Sequence, residues 1–216
     1  MTNKETLIFV EGPSDRLFLG VYLFYLYFQE KFPIKNFKVQ NVDGKNNLSK
    51  RLLEIEKYDK TLIIFDADKN YESNKKEILK VVSKTKQTIS EEQIFLFPNN
   101  QDDGDLETLL LKIANHKEFI NCFESYLDCI KKKEHYKPIK NIGKNMLYAY
   151  LEVFGLEYLY TKKNIFTESK VKNEYKEDYE RLEKEAINFE SDLLNPLKNF
   201  LRQFAENDQK TNPKIF

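Results

Sequence analysis

The chain has 216 residues, which is the size of one mid-sized domain or of one domain with a helical extension. Hydrophobic residues make up 41% and aromatic residues 14%, a supply that argues against global disorder because it can form a substantial core. Lys and Arg number 35, as do Asp and Glu, so the total charge does not indicate a strongly basic nucleic-acid-binding protein.

The start of the chain lacks a signal-peptide pattern, because its short apolar run meets Glu11 without a cleavage site. The longest apolar stretch, residues 17–28, is shorter than the roughly 20 residues that a membrane-spanning helix needs. We therefore expect a cytoplasmic protein without a membrane partner. Cys122 and Cys129 are expected to be reduced residues of the core.

The first half of the chain alternates strand and helix patterns. Apolar or alternating β-rich runs predict strands over residues 6–10, 37–42, 61–65 and 93–97. Helical patterns predict helices between them, over residues 15–30, 48–58 and 72–83. This order predicts an α/β fold with a parallel sheet and helices on both faces.

The second half has a different character. Residues 105–160 and 176–206 have helical patterns, and the lysine-rich stretch 161–175 joins them. We interpret residues 1–104 as an α/β core and residues 105–216 as a mostly helical elaboration packed on it. A small helical subdomain remains an alternative for the second half.

Acidic residues follow three of the predicted strands. Glu11 comes after the first strand, Asp66 and Asp68 after the third, and Asp105 and Glu107 after the fourth. The carboxyl ends of parallel strands meet at one edge of the sheet, where ligands bind in such folds. An extended backbone would direct Asp66 and Asp68 to the same side, about 6–7 Å apart. The sequence therefore predicts an acidic cluster in one crevice.

Carboxylates that meet in one place repel each other, and a hard cation relieves the repulsion. Oxygen ligands suit Mg²⁺ or Mn²⁺, which predicts a divalent metal site. The alternative is that these acids only cap helices and form turns. For Asp15 and Asp105 that alternative is left open.

Two short motifs, in this order, resemble the Toprim domain. They are EGPSD at residues 11–15, after the first strand, and DAD at residues 66–68, after the third. FPNN at residues 97–100, GDLE at 104–107 and the stretch 186–204 resemble an uncharacterised Toprim-related bacterial family with some similarity to OLD-type nucleases. The resemblance implies a Toprim-like fold for roughly the first half of the chain.

The same resemblance implies roles for individual residues. Glu11 would be the general acid/base or a metal-organising carboxylate. Asp66 and Asp68 would bind Mg²⁺, Asp15 would support the site, and Glu107 could complete a second metal site.

OLD-like nucleases also use a lysine that counters charge in the transition state, and Lys140 and Lys144 are the candidates here. The alternative, two solvated surface lysines, is left open. The tyrosine-bearing domain of topoisomerases and the zinc-binding region of primases are not visible in the sequence, which argues against those two activities.

The leading functional prediction is a Mg²⁺- or Mn²⁺-dependent nuclease that cleaves DNA or RNA, with bacterial or phage defence as a suggested setting. The alternative is a catalytically weak nucleic-acid-binding module that works with a partner ATPase, since the chain lacks the P-loop motif GxxxxGK[ST]. A third alternative is a phosphatase or phosphotransfer enzyme with Asp66 as nucleophile.

Lysines and tyrosines interleave after the acidic edge. The lysines would suit the phosphates of a nucleic acid, and the tyrosine rings could stack on its bases. The alternative is a solvated helical face over an aromatic core. The residues concerned are Lys131, Lys132, Lys133, Lys137, Lys140, Lys144, Lys162, Lys163, Lys170 and Lys172, with Tyr136, Tyr148, Tyr150, Tyr158 and Tyr160.

Overall fold

The computed structural model describes residues 6–30, 37–86, 88–161, 166–167, 170–171 and 175–204. Its main sheet contains β1 (Thr6–Val10), β2 (Phe37–Asn41), β3 (Lys60–Asp66) and β4 (Ile94–Phe97). The strand order is β2-β1-β3-β4 and all three pairings are parallel, so the predicted parallel α/β sheet is confirmed. A short antiparallel hairpin, β5 (Phe166–Thr167) with β6 (Lys170–Val171), was not predicted.

Helices connect and follow the strands. The α-helices are α1 (Pro13–Glu30), α2 (Leu52–Ile55), α3 (Tyr71–Val82), α4 (Leu106–Lys112), α5 (Lys117–Lys131), α6 (Ile142–Val153), α7 (Tyr158–Thr161), α8 (Lys176–Arg181) and α9 (Asn195–Gln203). Shorter turns of 3₁₀-helix span Lys45–Arg51, Glu91–Gln93 and Asp192–Leu194, and a π-helical turn spans Leu182–Ala186.

The helix predicted over residues 48–58 is confirmed only in part. Its first part lies in a 3₁₀-helix over Lys45–Arg51, only the four residues of α2 are α-helical, and the helical structure ends before residue 58. Leu48 and Ile55 are buried, but Leu53 is 74% exposed, so the apolar residues do not form the continuous stripe that the prediction assumed.

The two faces of the sheet carry separate cores, because side chains alternate along each strand. Ile8, Ile64 and Phe95 face α1 and the helices of the second half, and they share one cluster with Leu147 and Leu201. The neighbouring strand residues Leu7, Phe9, Ile63, Phe65 and Leu96 face the other side, where α2 and α3 cover them. Helices therefore pack on both faces, as predicted.

Helix α5 places both cysteines at the surface, which corrects the prediction of core residues. The helix buries Ile120 and Leu127, seven residues apart, while Cys122 and Cys129 have the same spacing on an exposed stripe. Both thiols are free. None of the helices in the described part of the chain combines the length and apolar character needed to cross a membrane.

Candidate metal centre

The strand ends bring Glu11 and Asp66 together. Val10 at the end of β1 pairs with Ile64 of β3, so the residues that follow leave the same edge of the sheet nearly in register. Asp66 is the last residue of β3, and Glu11 follows β1 directly. The strand-end rule that predicted this cluster from sequence therefore brings these two carboxylates to one edge.

The first turn of α1 adds Asp15 to this edge. The backbone N–H of Gly12 donates to Oδ2 of Asp15 at 2.7 Å, and the side chain is buried, with Asp15 only 5% exposed. This bond is half of a capping box, in which a side chain of the first turn reaches back to the N-cap amide. Asp15 therefore caps α1 and also faces the cluster.

Helix α4 adds Glu107. The backbone N–H of Leu106 donates to Oδ1 of Asp66 at 2.9 Å, which fixes the first residue of α4 against the end of β3. Glu107 is the next residue. A Cβ atom added to Gly143 would lie 3.7 Å from Cβ of Glu107, so α6 also begins close to this point.

The negative charges of these carboxylates raise one another's pKa values. Burial raises the pKa of Asp15 to about 7, with the charges of Glu107 and Glu11 adding to the effect. Burial also raises the pKa of Asp66 well above its ordinary value, and the charges of Asp15, Glu11 and Glu107 raise it further. The pKa of Glu107 is raised by burial first and then by the charges of Asp105 and Glu11. We call Glu11, Asp15, Asp66 and Glu107 the carboxylate cluster.

Glu11 is the member of the carboxylate cluster whose pKa responds to Asp68. Burial raises the pKa of Glu11, and the charge of Asp68 raises it further, while the backbone amides of Lys45 and Asp66 and the charge of Lys45 offset part of the change. Oε1 of Glu11 accepts a long hydrogen bond of 3.4 Å from the backbone N–H of Lys45. Oε2 is buried and has no hydrogen-bond partner among the described residues. An orphaned carboxylate oxygen beside three other carboxylates fits a hard cation.

Asp68 does not lie as predicted. Its φ of 52° is left-handed, and β3 ends two residues earlier, so the backbone between Asp66 and Asp68 is not extended. Oδ2 of Asp68 accepts from the ammonium of Lys45 at 2.8 Å, whereas Asp66 accepts from Leu106. The prediction that both carboxylates share one side of an extended strand is therefore wrong.

Lys45 is a further candidate site residue that the sequence patterns did not single out. Its ammonium also donates to Oδ1 of Asn74 at 2.9 Å, and Asn74 is a buried residue of α3. Burial lowers the pKa of Lys45, but the hydrogen bond and charge of Asp68 outweigh that effect and raise it overall. The signal was present in the sequence: Lys45 follows Asp43-Gly44 at the carboxyl end of the strand next to β1.

Asp105 caps α4. Its Oδ1 accepts from the backbone N–H of Thr108 at 2.7 Å and from the Thr108 hydroxyl at 2.6 Å. The capping alternative left open for Asp105 thus has direct structural support, and a role as metal ligand stays a prediction.

The two candidate lysines differ in their relation to the cluster. The charge of Lys144, in the first turn of α6, lowers the pKa values of Asp15 and Glu107. Its ammonium lies 5.6 Å from the ring centroid of Tyr148. Lys140 is exposed on the loop before α6, and its carbonyl oxygen accepts from Asn145. Lys144 is therefore the stronger of the two candidates.

The cluster is not a ready-made metal cage. Across the described ranges, no group of three or more His, Cys, Asp or Glu side chains has the arrangement of a metal site. The hydrogen bonds of Asp15 and Asp66 explain this in part, since their backbone partners direct these side chains.

The structure describes only some of the lysines and tyrosines that interleave after the acidic edge. Tyr150 is buried, and its hydroxyl donates to the carbonyl of Ala186 at 2.6 Å, so the expectation that it stacks on bases is wrong. Lys162, Lys163 and Lys172 lie outside the described residues.

Comparison with known proteins identifies a family. Residues 5–206 match the family model described as "Protein of unknown function (DUF3226)". Searches of curated proteins and of solved structures find no match. Because the matched range covers nearly the whole chain, the protein belongs to the DUF3226 family.

Proposed function

We propose that this protein is a Mg²⁺- or Mn²⁺-dependent nuclease of the Toprim type, which hydrolyses phosphodiester bonds in DNA or RNA. The observation that carries the proposal is the buried Oε2 of Glu11, which has no hydrogen-bond partner in the part of the chain that the structure describes and belongs to a cluster of mutually destabilising carboxylates. Folding such a cluster costs stability, and a divalent cation would offset that cost. Sites with this kind of electrostatic strain are often functional.

The residues that would hold the cation are Glu11, Asp15, Asp66 and Glu107, all of which offer oxygen ligands. A bound Mg²⁺ would supply charge stabilisation for the attacking and leaving oxygens of a phosphodiester. Asp68 is not one of these four residues, but its charge raises the pKa of Glu11.

Glu11 is the residue best placed to move a proton. Its raised pKa makes the carboxylate a stronger base, and Oε2 has no competing hydrogen bond among the described residues. A water molecule that enters beside the Glu11 carboxylate would lose its proton to it as the water oxygen attacks phosphorus and the bond from phosphorus to the leaving oxygen breaks. Lys45, which pairs with Asp68, and Lys144, whose charge acts on Asp15 and Glu107, would offset the charge of the phosphate.

The proposal is tested by incubating the purified chain with supercoiled plasmid, linear duplex, single-stranded DNA and RNA. Each substrate is tested with Mg²⁺, with Mn²⁺ and with EDTA. We expect cleavage that requires metal and that falls by about 10²–10⁴-fold in Glu11→Gln, the range typical for loss of a general base. Glu72→Gln is the matched control, because Glu72 is an exposed carboxylate in the first turn of α3.

If the wild type is as inactive as Glu11→Gln on all substrates with both metals, the nuclease proposal fails. Nucleic acid is the partner that the proposal requires. A partner ATPase stays a prediction, which co-purification from the native host would check.

A further inference from the structure

Two hydrogen bonds hold the side chain of Lys45 in place at the edge of the carboxylate cluster. Its ammonium lies 2.8 Å from Oδ2 of Asp68 and 2.9 Å from Oδ1 of Asn74. The side chain is only 28% exposed. A carboxylate oxygen and an amide oxygen, held at these distances, surround the ammonium with the kind of ligands that a hard cation takes.

The partners of the ammonium are themselves fixed. Asn74 is 8% exposed, and its Nδ2 donates to the carbonyl of Ala67. The same Nδ2 lies 3.5 Å from Oδ2 of Asp68. The amide of Asn74 is thus oriented by the backbone of the β3–α3 connection, and its oxygen is directed at Lys45.

The loop that carries Lys45 is anchored to Glu11. The backbone N–H of Gly44 donates to the carbonyl of Glu11 at 2.9 Å, and Gly44 has a φ of 100°. That conformation is open to glycine and costly for other residues. The loop therefore delivers Lys45 to one position beside Glu11 and Asp68.

We propose that the Lys45 ammonium takes the place of a second divalent cation, so that the site binds one metal ion and not two. This inference rests on the proposed function. A second ion at Asp68 would have to displace the ammonium, because two cations at hydrogen-bond distance from the same oxygen repel strongly. The single ion is then held by the carboxylate cluster, and Lys45 is the fixed cation on the Asp68 side.

The test is the number of Mn²⁺ ions bound per chain, measured by equilibrium dialysis and by electron paramagnetic resonance of the free ion. We expect one ion for the wild type and two for Lys45→Met, which frees Asp68 and Asn74. Lys45→Gln serves as a second variant, because its amide can still bond to these partners without carrying charge. Lys45→Arg keeps the charge and should bind one ion.

Lys50→Met is the matched control, because Lys50 lies on the same 3₁₀-helix and its ammonium donates to Asn47 and not to a cluster residue. It should bind one ion. Circular dichroism checks that each variant is folded.

Two bound ions in the wild type would overturn the role of Lys45 and leave the nuclease proposal standing. One ion in both folded uncharged variants would also overturn it. A wild type that binds no Mn²⁺ and cleaves no substrate would instead overturn the proposed function, so the two failures are distinguishable.

Discussion

Oδ1 of Asp66 accepts a hydrogen bond from the backbone N–H of Leu106 at 2.9 Å, across 40 residues of sequence. The contact joins the last residue of β3 to the first residue of α4. It means that one carboxylate both belongs to the candidate metal centre and supplies an acceptor for an amide at the start of the helix that carries Glu107.

This double role predicts different effects for two substitutions of Asp66. Asp66→Asn and Asp66→Ala remove the same charge, but only asparagine retains an oxygen that accepts from Leu106, a fully buried residue. We expect Asp66→Ala to be less stable than Asp66→Asn by about 1 kcal/mol, the usual contribution of one such hydrogen bond. Urea denaturation monitored by circular dichroism measures the difference, and equal midpoints for the two variants would contradict it.

The raised pKa of Asp15 predicts a pH-dependent stability. The pKa rises from 3.8 to about 7 on folding, so the folded chain binds the proton more tightly than the unfolded chain. The associated stability is present below pH 4 and is lost as pH rises through about 7. A shift of this size corresponds to a few kcal/mol, on the order of 1.4 kcal/mol per pKa unit.

Asp15→Asn should therefore be more stable than the wild type at pH 8, while the two should converge near pH 4. Asparagine keeps an oxygen for the amide of Gly12 but carries no charge. Urea unfolding at several pH values measures the gap, which should widen as pH rises. A gap that stays the same from pH 4 to pH 8 would show that the charge of Asp15 is not the cause.

Metal binding is expected to stabilise the fold. Mn²⁺ at 100 times its dissociation constant would add about 2.7 kcal/mol to the free energy of unfolding. The gain should be larger at pH 8 than at pH 5, because protons compete with the ion for carboxylates whose pKa values are raised. Thermal melting with Mn²⁺, and again after EDTA, measures it.

Glu11→Gln is the variant that tests the site of this stabilisation, since Oε2 of Glu11 is a buried oxygen of the cluster without a hydrogen-bond partner among the described residues. Its melting temperature should respond little to Mn²⁺. Glu72→Gln should respond like the wild type, and an equal response of both variants would place the ion elsewhere.

Lys144 and Lys140 are two exposed lysines four residues apart, so Lys140 is a matched control for substitutions of Lys144. The charge of Lys144 lowers the pKa values of Asp15 and Glu107, so Lys144→Met should reduce stability at pH 8. The reduction should be a few tenths of a kcal/mol, because Lys144 is exposed and solvent screens its charge. Lys140→Met should leave stability unchanged, and high salt should shrink the effect of Lys144→Met.

Nuclease activity should separate the same pair of variants. Lys144→Met should cleave more slowly than Lys140→Met if the ammonium near the cluster offsets phosphate charge. Equal activity of the two variants would assign Lys144 an electrostatic role in stability alone.

Local sequence patterns were sufficient for the sheet and for part of the site. The apolar runs at β1, β3 and β4 are buried on both sides, and such runs are distinctive of parallel strands. Once the strands are placed, their carboxyl ends bring Glu11 and Asp66 to one edge, because parallel strands share their direction.

Only the tertiary structure decided which groups pair with those carboxylates. Lys45 reaches Asp68 across 23 residues, and Leu106 reaches Asp66 across 40, so neither contact appears in a local pattern. The left-handed φ of Asp68 separates the DAD motif into two environments, although the sequence suggested one. Burial, which sets the raised pKa values of Asp15 and Asp66, arises from the packing of α1, α4 and α6 around the strand ends. Hydrophobic periodicity therefore determines the sheet, whereas solvation and long-range contacts determine the chemistry at its edge.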